Sequence, residues 1–303
     1  MNKMNRKDTR IHEKIKRKLV KRLDRKTQPE KRGKPVFGSG GNIHYEYSEK
    51  ACAVSCGGLG IMRAMVQGTG LGKMIDEEMH ILKQHHPYHE SDHIFNMAFN
   101  ILAGGQNLED LEVRRSDPGY LDALEAERCP DPTTARDFLP RFSEEQILAL
   151  MDLVNRVRRR IWKMQSAAFR QRAELRIDGT IVETGGECRE KMDISYDGRW
   201  GYGPVIVSLA NTREPLYIEN RPASASSNRD AIAWIDRSIG MVRDIFQEVS
   251  MTGDTAYYLT KGFDRWTEQG VKFVFGCDSW AGLVKRAEET TVWEQLQRPP
   301  AST

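Results

Sequence analysis

Glu174-Leu175-Arg176-Ile177-Asp178-Gly179-Thr180 decides how this chain is read, together with a second stretch, Val249-Ser250-Met251-Thr252-Gly253-Asp254-Thr255. Each is a short strand-like run that reaches an aspartate next to a glycine. A carboxylate at the end of a strand stands at the rim of a sheet, open to water and ligands. Glycine lets the backbone turn there and leaves room beside it. Two such carboxylates on adjacent strands can share a hard divalent cation, which prefers oxygen ligands. The competing reading is that both aspartates are turn residues or helix caps, as in most Asp-Gly and Gly-Asp pairs.

The residues around these stretches alternate in a way that suits a sheet. Val205-Ile206-Val207-Ser208-Leu209-Ala210 reads as a buried strand. Asn211-Thr212-Arg213-Glu214 turns it into Leu216-Tyr217-Ile218-Glu219, an antiparallel hairpin. Ser226-Ser227-Asn228 is placed to cap a long helix with Ile232, Ile235, Ile239, Val242 and Ile245 on one face. The strand ending at Asp254 follows, then a helix over about 259–269 that stops at Gly270, then the strand Val271–Gly276. Strand, hairpin, helix, strand, helix, strand describes an α/β mixed sheet with flanking helices.

Upstream the period is helical. Leu59 to Val66 predicts one helix and Lys73 to Leu82 a second, with glycines between. The glycines and Lys73 do not make a phosphate loop, because Gln67 and Met74 occupy its deciding positions. His89-Glu90-Ser91-Asp92-His93 matches the His-Glu-x-x-His pattern of zinc proteases. Pro87 lies just before it, so the motif falls at a helix entrance, with Ser91 or Asp92 as the expected N-cap of the apolar run from Ile94 to Leu102. Thr133 and Thr134 can cap a helix holding Phe138, and Ser143-Glu144-Glu145-Gln146 is a capping-box pattern that opens a longer one. Short helices with tight turns suit a helix-turn-helix-like DNA-binding domain or any small helical bundle. The basic run Arg156, Arg158, Arg159, Arg160, Lys163, Arg170 and Arg172 either grips phosphate or forms a solvated face.

The 303 residues suffice for two domains, and the net charge is +3. That total hides an asymmetry: residues 1–34 carry 15 Lys and Arg against 4 Asp and Glu, a net +11, leaving −8 on the rest. A basic arm is a footprint of nucleic-acid binding or a solvated tail. Ile11, Ile15, Leu19 and Leu23 put a thin apolar stripe on it, and residues 27–42 read as a linker. No apolar run is long enough for a membrane span, no signal-like segment follows the basic start, and five cysteines fit a reducing compartment.

The acids in this order resemble the ribonuclease H-like core, and the chain resembles a bacterial insertion-sequence transposase with a DDE catalytic domain. The likeness is carried by Ile101–Leu111, Asp131–Leu139, Ile177-Asp178-Gly179-Thr180 and Gly253-Asp254-Thr255-Ala256-Tyr257, and covers about residues 55–280. It implies a division into a basic helical arm and linker (1–42), a helical DNA-binding domain (43–172) and a catalytic domain (173–303). It implies Mg²⁺ (or Mn²⁺) held by Asp178 and Asp254, for cleavage and transfer of DNA strands by a two-metal mechanism. The partners implied are terminal inverted-repeat and target DNA and further copies of the chain. The setting implied is the bacterial cytoplasm, at the nucleoid.

The family also uses a third acid, usually a glutamate on a later helix. Glu288, Glu289 and Glu294 are the late glutamates here, and Glu289, 35 positions after Asp254, is the candidate. Thr252 stands where relatives often carry a basic residue. The expectation is a chain truncated before the usual third acid. The alternative is a DNA-binding remnant without catalysis.

Overall fold

The computed structural model describes residues 13–18, 20, 56–83, 87–185 and 190–294. Of the basic arm, residues 13–18 are helical and exposed, as the apolar stripe predicts. The linker, Cys52, Cys188 and the last nine residues lie outside the described residues. The chain divides into two compact units within one helix, between Ile147 and Leu148.

The first unit is helical: α1 (Leu59–Thr69), α2 (Leu71–Glu78), α3 (Glu90–Leu102), α4 (Asp110–Arg115), α5 (Pro118–Ala123), α6 (Pro132–Phe138) and the start of α7 (Glu144–Lys163). Gly70 separates α1 from α2 in a left-handed conformation (φ 71°), which glycine adopts without the Cβ clash. Leu59, Phe99, Tyr120, Leu124 and Ala126 form a buried cluster. Helix starts are set by side-chain acceptors for otherwise unsatisfied backbone N–H groups. Asp131, rather than the threonines after it, caps α6, accepting the Thr134 N–H at 2.9 Å with Pro132 in the first turn. At α7 the expected capping box is present: Ser143 N–H donates to Gln146 Oε1 (2.8 Å) and Gln146 N–H to Ser143 Oγ (3.3 Å).

The His-Glu-x-x-His segment is the entrance of α3. The helix begins earlier than expected, at Glu90 with His89 as N-cap, and Asp92 accepts the His89 N–H at 3.0 Å. Glu90, 1% exposed, accepts the N–H groups of Ile81 and Leu82 (3.1 and 3.0 Å). Asp76 accepts both the N–H and the hydroxyl of Ser91. His93 stacks on Phe138, ring centroids 4.3 Å apart. The carboxylates of Asp76, Glu90 and Asp92 tie the helix start to its surroundings, whereas the buried His93 Nδ1 makes no hydrogen bond among the described residues.

The second unit is built on a five-stranded sheet: β1 (Arg172–Gly179), β5 (Val205–Leu209), β6 (Glu214–Glu219), β7 (Glu248–Gly253) and β8 (Lys272–Phe275), in the order β6-β5-β1-β7-β8. β1 runs antiparallel to β5 and β5 to β6, while β1, β7 and β8 are parallel. A small sheet of β2 (Val182–Glu183), β3 (Asp193–Ile194) and β4 (Trp200–Tyr202) lies between β1 and β5 in sequence. Helices α7, α8 (Ala231–Val242) and α9 (Thr260–Glu268) contribute to the unit's core, and α10 (Ala281–Glu289) follows with every residue exposed. The hairpin and the helix-linked parallel strands give the ribonuclease H-like arrangement that the sequence resemblance implied.

One face of β1 supplies the core. Ala173, Leu175 and Ile177 are buried and alternate with exposed Arg172, Glu174, Arg176 and Asp178. Val205, Val207 and Leu209 of β5, Val249 and Met251 of β7, and Ile235, Ile239 and Val242 of α8 join them. Trp162 of α7 is buried in the same cluster, so this unit takes in a helix assigned above to the helical domain. The basic run on α7 is partly spent on structure. Arg158 meets Glu214 at 3.5 Å and Arg159 pairs with Asp244.

Candidate active site

The parallel pairing of β1 and β7 carries the two sequence-predicted aspartates to the same edge of the sheet. Arg172 pairs with Glu248 and Arg176 with Thr252, a constant offset along the parallel ladder. Continued two residues past the last ladder pair, the same offset would align Asp178 with Asp254, which directly follows β7. Neighbouring strands lie about 4.8 Å apart. Both side chains are exposed, at the C-terminal ends of adjacent parallel strands, the edge where open α/β sheets bind ligands.

Backbone N–H groups hold one oxygen of each carboxylate. Asp178 Oδ1 accepts the Gly179 N–H at 2.8 Å. Asp254 Oδ1 accepts the Ala256 N–H at 3.0 Å and so starts the short 3₁₀ turn Thr255–Tyr257. The capping reading and the functional reading of Asp254 are thus compatible: capping occupies one oxygen and leaves the other facing out.

The floor of this edge is made by residues that the sequence did not single out for the site. Tyr257 is 1% exposed, and a Cβ on Gly179 would stand 2.6 Å from its hydroxyl oxygen. Only glycine leaves the phenol that space. Burial pushes the Tyr257 pKa up to about 12; Arg221 lowers it, and Asp254 and Asp178 both raise it, so the phenol lies in the field of both carboxylates. Arg221 is 4% exposed. Its Nε donates to the carbonyl of Gly203 (3.2 Å), and its Nη1 to those of Ser226, Ser227 and Arg229 (3.2, 3.3 and 2.9 Å).

This fan of carbonyl bonds also explains a departure from the sequence-based expectation. Ser226-Ser227-Asn228 does not cap α8. The helix begins at Ala231 after Asp230, whose φ of 55° is left-handed. The carbonyls of residues 226, 227 and 229 turn toward the Arg221 guanidinium instead of starting the helix. Burying a guanidinium requires such acceptors, and no signal in local spacing announces them.

Glu289 is exposed at the end of α10, where it meets Lys285 at 3.7 Å. Among the described residues no three His, Cys, Asp or Glu side chains gather to hold a metal ion. Asp178 and Asp254 fit a divalent cation as two of its oxygen ligands, each with an oxygen that accepts no hydrogen bond among the described residues. The exposed face of β1 continues from Asp178 into a groove of about 440 Å³ lined by Glu174, Arg176, Ser208, Ala210 and Arg213.

Residues 50–300 match the family model described as transposase DDE domain group 1. No curated protein sequence matches the chain. Two solved structures show a slight likeness. One is a piggyBac transposase synaptic complex with hairpin DNA: 10% identity, TM-score 0.39, covering 79% of this chain and 54% of that one. The other is a Mos1 strand transfer complex: 8% identity, TM-score 0.24, covering 66% of this chain and 63% of that one. The chain thus spans somewhat over half the length of either, and overlaps this slight carry no weight of their own.

Proposed function

The chain belongs to the transposase DDE domain family, group 1, and from that premise we propose that it acts on DNA as a metal-dependent polynucleotidyl transferase, binding the ends of a mobile element and cutting and joining strands there. What supports this reading is the exposure of Asp178 and Asp254 where two adjacent parallel strands end, with a ladder offset equal to the separation of the two aspartates.

Asp178 and Asp254 would hold Mg²⁺ or Mn²⁺ through their outward oxygens. When bound, such ions activate a hydroxyl nucleophile and stabilise the leaving oxygen in an in-line displacement at phosphorus. The chain's own part is placement. The backbone N–H groups of Gly179 and Ala256 fix the carboxylates, and Arg176 and Arg213, lining the adjoining groove, offer charge to a phosphodiester backbone. Glu289 enters as third ligand on its sequence spacing alone. The helical unit and the basic arm would hold the element ends, with a second copy of the chain at the other end.

A second reading, DNA binding without catalysis by a chain that lacks its third acid, is favoured by one observation. The described residues bring no third carboxylate to the pair. A nicking assay with Mg²⁺ or Mn²⁺ on the element's inverted-repeat ends separates the two. Cleavage by the wild type that vanishes in Asp178→Ala supports the enzyme. Binding with no cleavage under either metal supports the remnant.

A further inference from the structure

The rim aspartates rest on a buried polar floor. Tyr257 and Arg221 are 1% and 4% exposed, so neither reaches substrate. The Tyr257 hydroxyl makes no hydrogen bond of good geometry among the described residues. An unpartnered buried hydroxyl costs roughly 1–3 kcal/mol, so its retention calls for a reason. It lies directly under Gly179, where a Cβ would approach it to 2.6 Å, within the field of both carboxylates.

Arg221 forms no ion pair with a carboxylate among the described residues. Its hydrogen bonds instead fasten two loops beside the site. Gly203, bonded to it both ways, precedes β5, whose Val205 pairs with Gly179. Residues 226–229 lead into α8, which packs on the core face of the sheet. The guanidinium also adjoins the Tyr257 phenol. A fixed cation and a fixed hydroxyl therefore sit behind two exposed carboxylates on separate strands.

We propose that Tyr257 and Arg221 are positioning residues for the Asp178–Asp254 pair: the buried phenol under Gly179 and the guanidinium that fastens the flanking loops fix the strand ends carrying the two carboxylates, and together they set the pair's geometry for a divalent cation. The inference rests on the two-aspartate reading given above. Partners behind metal ligands fix ligand orientation, and their loss typically weakens metal binding about 10–100-fold.

The test is Mn²⁺ binding to the purified full chain, followed by the electron paramagnetic resonance signal of free Mn²⁺, with melting temperatures alongside. Tyr257→Phe removes one unpartnered oxygen and nothing from the packing, so the fold should melt no lower. The expected result is Mn²⁺ binding about 10-fold weaker in Tyr257→Phe at an unchanged or raised melting temperature, and lost in Asp178→Ala. Arg221→Lys keeps the charge without the carbonyl fan and should weaken Mn²⁺ in step. Wild-type affinity in Tyr257→Phe overturns the inference while leaving the aspartate pair intact. Wild-type affinity in an Arg221→Lys protein that melts lower restricts Arg221 to loop architecture and overturns its part. Equal binding by wild type and Asp178→Ala removes the two-aspartate reading, and this inference with it.

Discussion

Asp178 and Asp254 are 76 positions apart in sequence, the same offset that β1 and β7 keep without a register shift from Arg172–Glu248 to Arg176–Thr252. A slip of one residue would send one carboxylate to the core face. The apolar faces prevent it: Leu175 opposite Met251 and Ala173 opposite Val249 are all buried. The sheet's packing thus sets the chemistry at its edge.

Asp178→Asn and Asp254→Asn should each abolish metal-dependent strand cleavage while leaving the fold intact. Both side chains are exposed, so stability should change by no more than about 0.5 kcal/mol. Parallel nicking assays and thermal melts check this. A variant that cuts like the wild type would remove that aspartate from the site.

Gly179→Ala should destabilise the catalytic unit by about 1–3 kcal/mol, because the added methyl meets the Tyr257 hydroxyl oxygen at 2.6 Å in a rigid surround. In the double variant Gly179→Ala/Tyr257→Phe much of that loss should return. A urea-denaturation double-mutant cycle measures the coupling, and strict additivity would refute the contact.

Trp266 is fully buried among Phe263, Phe273 and Phe275, and its indole N–H donates to Asp236 at 2.8 Å. Trp266→Ala should cost about 3–5 kcal/mol through cavity formation and a stranded acceptor. Urea midpoints at constant slope would show it.

His93 links the helical unit's stability to acid. Burial, reinforced by Arg141, lowers its pKa from 6.5 to about 4. The unfolded chain therefore takes up the proton before the folded one does. The contribution of neutral His93 is complete above about pH 6.5 and is lost as pH falls toward about 4. Replacement by phenylalanine, which preserves stacking on Phe138, should flatten the pH dependence of unfolding across that window. Denaturant melts of wild type and His93→Phe between pH 7 and 4 provide the comparison.

The zinc-protease pattern makes a separate prediction. Glu90 spends its carboxylate on the Ile81 and Leu82 N–H groups, so Glu90→Gln should lower stability, by about 1–3 kcal/mol, without changing metal content. Elemental analysis of the purified protein should find no stoichiometric zinc, and zinc lost specifically in His93→Phe would contradict this assignment.

Local pattern alone determined much of this protein. Alternation in Leu175 and Ile177, and again in Val205, Val207 and Leu209, declared which face of each strand is buried, since side chains on a strand alternate sides. Ser143 and Gln146 declared the start of α7, because a cap is a bond between residues three apart. The aspartates were visible as strand-end residues beside glycines. What no local pattern contains is the alignment of β1 with β7, or the approach of Arg221 to Tyr257 and the redirection of residues 226–229 around the guanidinium. Those depend on which strands become neighbours and on which distant carbonyls must satisfy a buried guanidinium. They arise only when the chain closes on itself, because desolvation then penalises a buried charge that lacks partners, wherever in the sequence those partners lie.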